Sequence, residues 1–209
     1  MAKKLIYIST IIFFISILAI IADRMAAKKY NNKYYGTIQV EVGDILFRSF
    51  SYTLSNSSLY YLSGMPGHIA IVVSEGEYLP ASGSLKNITV VEARYFDHTK
   101  KQKSKQVGIN PANENFGEKY KGRRFLFKTH LNKSQKEELV NFYKSKLGKP
   151  YKLFAQKEES KEFNCATFAR QAIYYSSGID IDSNAGKIFF PNDIFKCPLF
   201  MDENNRIFF

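Results

Sequence analysis

The run His68-Ile69-Ala70-Ile71-Val72-Val73, entered through Gly67, leaves this chain the fewest choices of fold. Apolar, largely β-branched residues in unbroken succession suit a pleated surface better than a helix, so the run predicts a strand over Ile69 to Ser74 with His68 at its start. Far downstream, Asn164 stands before Cys165-Ala166-Thr167-Phe168-Ala169-Arg170-Gln171-Ala172. That pattern predicts a helix with Asn164 as N-cap and Cys165 in the first turn, where the positive end of the helix dipole favours thiolate over thiol. A strand thus presents a histidine and a helix presents a cysteine. Taken singly, each has a plainer reading: Cys165 as an apolar thiol on the packing face of its helix, His68 as a hydrogen-bonded sheet residue.

Taken together, the two residues are the minimum equipment for a thiol nucleophile. A free thiol is only slightly ionised at neutral pH, so a cysteine hydrolase must lower its pKa or hold a base within hydrogen-bond reach. A third group then keeps the imidazole in the right tautomer. Glu92, in Val90-Val91-Glu92-Ala93-Arg94, is the candidate, because its flanking valines predict a strand over Ile88 to Ala93 that can pair with the strand from His68. A lone strand carboxylate can equally be a solvated, outward-facing residue.

Six segments in order carry a wider resemblance: Gly43-Asp44-Ile45-Leu46-Phe47, Gly67-His68-Ile69-Ala70-Ile71-Val72, Val91-Glu92-Ala93, Gly148-Lys149-Pro150-Tyr151, Asn164-Cys165 and Pro191-Asn192-Asp193-Ile194. Together they resemble the circularly permuted, papain-like NlpC/P60 group. Within it they are most similar to the YiiX/YebB-like enzymes, with the lecithin retinol acyltransferase-like proteins as distant relatives. The resemblance implies an α+β, papain-like domain in which a small antiparallel sheet packs on helices. It implies Cys165 as nucleophile, His68 as base and Glu92 as the residue orienting it, with Tyr151, in a turn that shapes the cleft, and Asn164 as substrate-binding residues. Its substrates are cell-wall peptides or lipid-like amides and esters. Many relatives have Tyr-Cys-Ser-Glu where this chain has Asn164-Cys165-Ala166-Thr167. Asn-Cys is nearer the acyltransferase-like branch, so hydrolysis and acyl transfer both stay open, as does a tethered module that binds without turnover.

Leu5 to Ala22 carries no charge and would span about 27 Å as a helix, close to the thickness of a bilayer's hydrocarbon core. Lys3 and Lys4 precede it, and neither Ala22 nor Ala27 ends a good cleavage site, so the expectation is an uncleaved signal anchor with the domain outside the cytosol. The chain then divides into an anchor and linker over residues 1–34 and a catalytic domain over residues 35–209, long enough for a core of its own. Its net charge of +11 includes the cluster Lys100-Lys101-Gln102-Lys103-Ser104-Lys105, a solvated loop or a surface attracted to anionic head groups or cell-wall polymer. No nucleic-acid motif accompanies it. Three scattered histidines and two cysteines have no metal-ligand spacing, so neither a metal nor another cofactor is expected. Cys165 and Cys197 have no independent sign of lying close enough for a disulfide, which would disable the thiol.

The remaining expectations are structural. Gly43-Asp44 reads as a turn into a strand at Ile45-Leu46-Phe47, with Asp44 a turn former rather than a catalytic acid. Ser49 to Gly67, with Tyr60-Tyr61, reads as a loop, and Arg124 to Lys128 as a strand. Ser134-Gln135-Lys136-Glu137 reads as a capping box opening a helix to about Leu147, stopped by Gly148 and Pro150. His98 and His130 read as loop and surface residues.

Overall fold

The strand that His68 opens lies inside a sheet and not at its edge. In a computed structural model of the protein, residues 36–48, 67–79, 82–95, 104–117 and 124–208 are described, together with scattered helical positions between 7 and 18. The strands are β1 (Ile38–Val40), β2 (Ile45–Arg48), β3 (His68–Val72), β4 (Gly76–Leu79), β5 (Ser84–Lys86), β6 (Thr89–Arg94), β7 (Gln106–Pro111), β8 (Arg124–Phe127) and β9 (Arg206–Phe208). Two helices carry most of the packing: α1 (Lys133–Lys146) and α2 (Cys165–Ser177). A six-stranded sheet runs in the order β7-β6-β3-β2-β8-β9 and a three-stranded one in the order β1-β4-β5. Every pairing is antiparallel.

Both faces of the larger sheet are covered, which is why its central strands read as continuous apolar runs and not as alternating ones. Ile45, Phe47, Ile69, Ile71, Val91, Ala93, Phe125 and Phe127 point to one side and join Phe168, Ala169, Ala172 and Ile173 of α2 in a single core. Leu46, Ala70, Val72, Val90 and Leu126 point to the other side, against Tyr78 and Leu85 of the small sheet and Phe116. Helix α2 is sandwiched, with every residue from Cys165 to Ile173 buried. It ends at Gly178, whose φ of 74° is the left-handed value that closes a helix cheaply only for glycine.

The expected strands fall where sequence pattern puts them, with ends moved by a residue or two. Strand β3 runs His68–Val72, and the N–H of Val73 still donates to the Thr89 carbonyl on the β6 side. Helix α1 needs one correction. Its capping box is Asn132–Gln135, not Ser134–Glu137: Gln135 N donates to Asn132 Oδ1 at 3.0 Å and Asn132 N to Gln135 Oε1 at 2.9 Å. Asn132 has the extended backbone that an N-cap requires, whereas Ser134 is already helical. Asp44 is the expected turn former, accepting from Glu41 N at 2.8 Å and pairing with Lys128 at 2.6 Å. His130 is exposed and bonds Asn205 Oδ1 at 2.8 Å. The small sheet, β7 and β9 carry no periodic run that announces them in advance.

Among the described residues no helix is long and apolar enough to cross a membrane. Half of the expected anchor between Leu5 and Ala22, the linker, Tyr60-Tyr61, His98 and the basic loop up to Lys103 lie outside the described residues.

Candidate functional site

Helix α2 begins where the sequence places it. Asn164 Oδ1 accepts from Thr167 N at 2.8 Å, while Thr167 Oγ1 accepts from Asn164 N at 3.1 Å, a reciprocal box that fixes the first turn. The same Asn164 amide donates to the Leu153 carbonyl at 3.1 Å, so the side chain is wholly engaged in holding the helix start and the strap before it. Cys165 is the first helical residue and is 7% exposed. Cys197 is 2% exposed, both cysteines are free, and burial pushes the Cys197 thiol upward.

His68 and Glu92 meet across the β3–β6 pair. The register aligns Ile71 with Val91 and Val72 with Val90. Continued toward His68, it sets Glu92 one diagonal step away on the same face, within reach of a long side chain. Nε2 of the imidazole is hydrogen-bonded to Glu92 Oε2. That leaves Nδ1 as the ring nitrogen for the thiol, and Cys165 is near enough to raise the pKa of the ring. The His68 side chain keeps 13% of its surface open, whereas that of Glu92 is fully enclosed.

Burial penalises the charged imidazole, but the Glu92 carboxylate outweighs it, helped by the hydrogen bonds and by Cys165, and the His68 pKa rises to about 9. Burial likewise opposes ionisation of Glu92, and there the imidazolium, the Arg94 guanidinium and the Asn115 amide win, holding its carboxyl below the usual range. The pair is therefore imidazolium and carboxylate at neutral pH.

A buried carboxylate needs more than one donor. Asn115 Nδ2 lies 2.9 Å from Oε1 and 3.0 Å from Oε2, Asn110 Nδ2 lies 3.0 Å from Oε1, and Arg94 Nη1 reaches Oε1 at 3.5 Å. Arg94 also pairs with Glu114 at 3.0 Å. The ring of Phe116 lies along that of His68, with centroids 5.7 Å apart and planes 22° from parallel. Sequence reasoning found none of these residues. Arg94 was the most accessible to it, since residues two apart on a strand share a face.

Tyr151 is half-buried beside the site. Burial and then the neighbouring Cys165 push its phenol upward, and its ring meets that of Tyr95 at 5.9 Å. Its backbone N donates to the Lys105 carbonyl at 2.7 Å, and it bridges Phe163 just ahead of α2. His68, Glu92, Cys165, Asn164 and Tyr151 thus converge on one place. Asn164 acts there through the helix cap.

No family model and no curated protein sequence matches the chain. Among solved structures, its fold is similar to that of the metalloprotein YiiX from Escherichia coli O157:H7, with a TM-score of 0.52 over 81% of this chain and 96% of that one, at 16% identity. The chain is therefore a mixed α and β protein with a YiiX-like fold.

Proposed function

We propose that the chain is a cysteine hydrolase of amide or ester bonds with a permuted papain-like, NlpC/P60-type catalytic domain over residues 35–209. The observation that carries this reading is His68 set between a fully enclosed Glu92 and a cysteine at a helix N-terminus. The imidazolium, held charged by Glu92, stabilises a Cys165 thiolate. The thiolate attacks the carbonyl carbon, the developing oxyanion faces the Cys165 backbone N–H at the start of α2, and His68 delivers its proton to the leaving group. Water, deprotonated by the now neutral imidazole, then releases the acyl group. Tyr151 forms part of the wall. Residues 1–34 tether the domain to the membrane facing the cell exterior, where a cell-wall peptide or lipid-like molecule is the substrate.

The fold neighbour is a metalloprotein, so the donor set bears examination. Among the described residues no three His, Cys, Asp or Glu side chains form a group able to hold a metal ion. Nε2 of His68 is occupied by Glu92. The described residues do not fit a metal centre, and no step here passes through one.

The test is the second-order rate of alkylation by iodoacetamide at pH 7. Cys165 should react much faster than Cys197. His68→Ala should slow Cys165 by about 10²- to 10⁴-fold, the scale of a lost acid–base group, and Glu92→Gln should slow it less. If folded His68→Ala reacts as fast as the unsubstituted chain, the thiol is unassisted and the cleft is better read as a tethered binding module.

A further inference from the structure

The residues that brace Glu92 are not scattered. Between β7 and β8 the chain makes a single helical turn, Asn113–Phe116, too short to be stable by itself. It is held from outside. Asn113 Oδ1 accepts from Leu85 N at 3.1 Å and its Nδ2 donates to the Leu85 carbonyl at 2.8 Å, while Arg124 Nη1 donates to the Phe116 carbonyl at 2.8 Å. The turn so fixed presents three consecutive side chains to the site. Glu114 pairs with Arg94, Asn115 donates to both oxygens of Glu92, and Phe116 backs the imidazole.

Asn115 is the informative member. It is 2% exposed, and its amide oxygen has no hydrogen-bond partner although it is buried. Turning the amide over would aim that oxygen at a carboxylate, so the chemistry fixes its orientation. A residue serving only to fill this space would be apolar, with no unpaired acceptor to enclose. This one leaves its acceptor unpaired while its donor group serves Glu92. We infer that the turn Asn113–Phe116 is the positioning element of the His68–Glu92 pair, with Asn115 the positioning residue that keeps Glu92 ionised and aimed at the ring. This rests on the thiol–imidazole reading above. Asn115 touches neither thiol nor substrate and acts only through Glu92.

The experiment is a histidine-ring NMR titration of the full chain, with the His68 signal identified by its loss in His68→Gln. Removing both amide donors in Asn115→Ala should let the Glu92 carboxylate turn away from the ring, weakening its pairing with the imidazolium and lowering the His68 midpoint by about one pH unit, the scale of losing a charge-assisted hydrogen bond to a carboxylate. Asn115→Ser, which keeps one donor, should fall between. The pH dependence of Cys165 alkylation should move by the same amount. In the unsubstituted chain, the Asn115 amide signals should shift with the same midpoint as His68, a readout that does not depend on any variant folding. A His68 midpoint unchanged in folded Asn115→Ala, or Asn115 amide signals indifferent to the His68 titration, overturns the positioning role while leaving the nucleophile assignment intact. Undiminished alkylation in His68→Ala instead overturns the base reading on which the role rests.

Discussion

Raising the pH through the His68 titration should weaken the fold by an amount that the site's geometry sets. In the unfolded chain the imidazole titrates near 6.5, and in the folded protein near 9. A group whose folded pKa is raised contributes stability that is fully present below its unfolded value and is lost as the pH climbs through the folded one. Each pKa unit is worth about 1.4 kcal/mol, so the interval amounts to about 3 kcal/mol, lost between about pH 6.5 and 9. That is a large share of the 5–15 kcal/mol typical of a small domain. Glu92 works in the opposite sense. Its lowered folded pKa adds stability above the ordinary carboxylate value, lost as the solution is acidified. The pair therefore favours folding most between the carboxylate range and about pH 6.5. The assay is the urea midpoint of the full chain at half-unit steps from pH 6 to 10, beside Glu92→Gln, whose imidazole has lost the opposing charge. Subtracting the two curves removes groups common to both, such as lysines and tyrosines. The difference should shrink steadily from pH 6.5 to 9. A flat difference would show that the charge pairing contributes no net stability and would refute the reasoning.

Two further outcomes follow from burial and capping. Asn164→Ala removes the side-chain half of the α2 cap and the bond to Leu153, and should cost about 1–2 kcal/mol in urea unfolding, with slower Cys165 alkylation in the folded variant because the first turn is no longer pinned. Lys157 is ion-paired with Asp182, whose side chain is 1% exposed. Lys157→Met should therefore cost about 1–3 kcal/mol, because Asp182 keeps the Asn184 N–H at 2.8 Å and Arg170 Nε at 3.8 Å, and the double variant Lys157→Met with Asp182→Asn should recover much of it.

What could be read in advance divides along physical lines. Strands β2, β3, β6 and β8 were legible because unbroken apolar runs have few alternatives. Helix α2 was legible because Asn164 stands as an N-cap residue ahead of Cys165 and a largely apolar run. The small sheet was not, since β1, β4 and β5 are short, mixed in polarity and held by partners distant in sequence. The same limit applies within the site. His68, Glu92 and Cys165 were found because strand and helix patterns present them, and Arg94 lay within reach of the same period-two logic. Asn110 and Asn115 carry no local signature, because their importance comes from a buried carboxylate contributed by another strand. The misplaced cap of α1 shows the reverse error: Ser134 to Glu137 has the right letters, and Asn132 has the right backbone.

The two faces of the six-stranded sheet give the site a further property. Glu92 and Phe116 belong to the side that the small sheet closes, and Cys165 belongs to the side that the helices close. His68, at the open end of β3, is the residue that meets both. A chain with its helices docked but the small sheet still loose holds a cysteine with no braced base, and the converse intermediate holds a braced base with no thiol. On the function proposed above, an activated thiol therefore requires both layers to be closed at once.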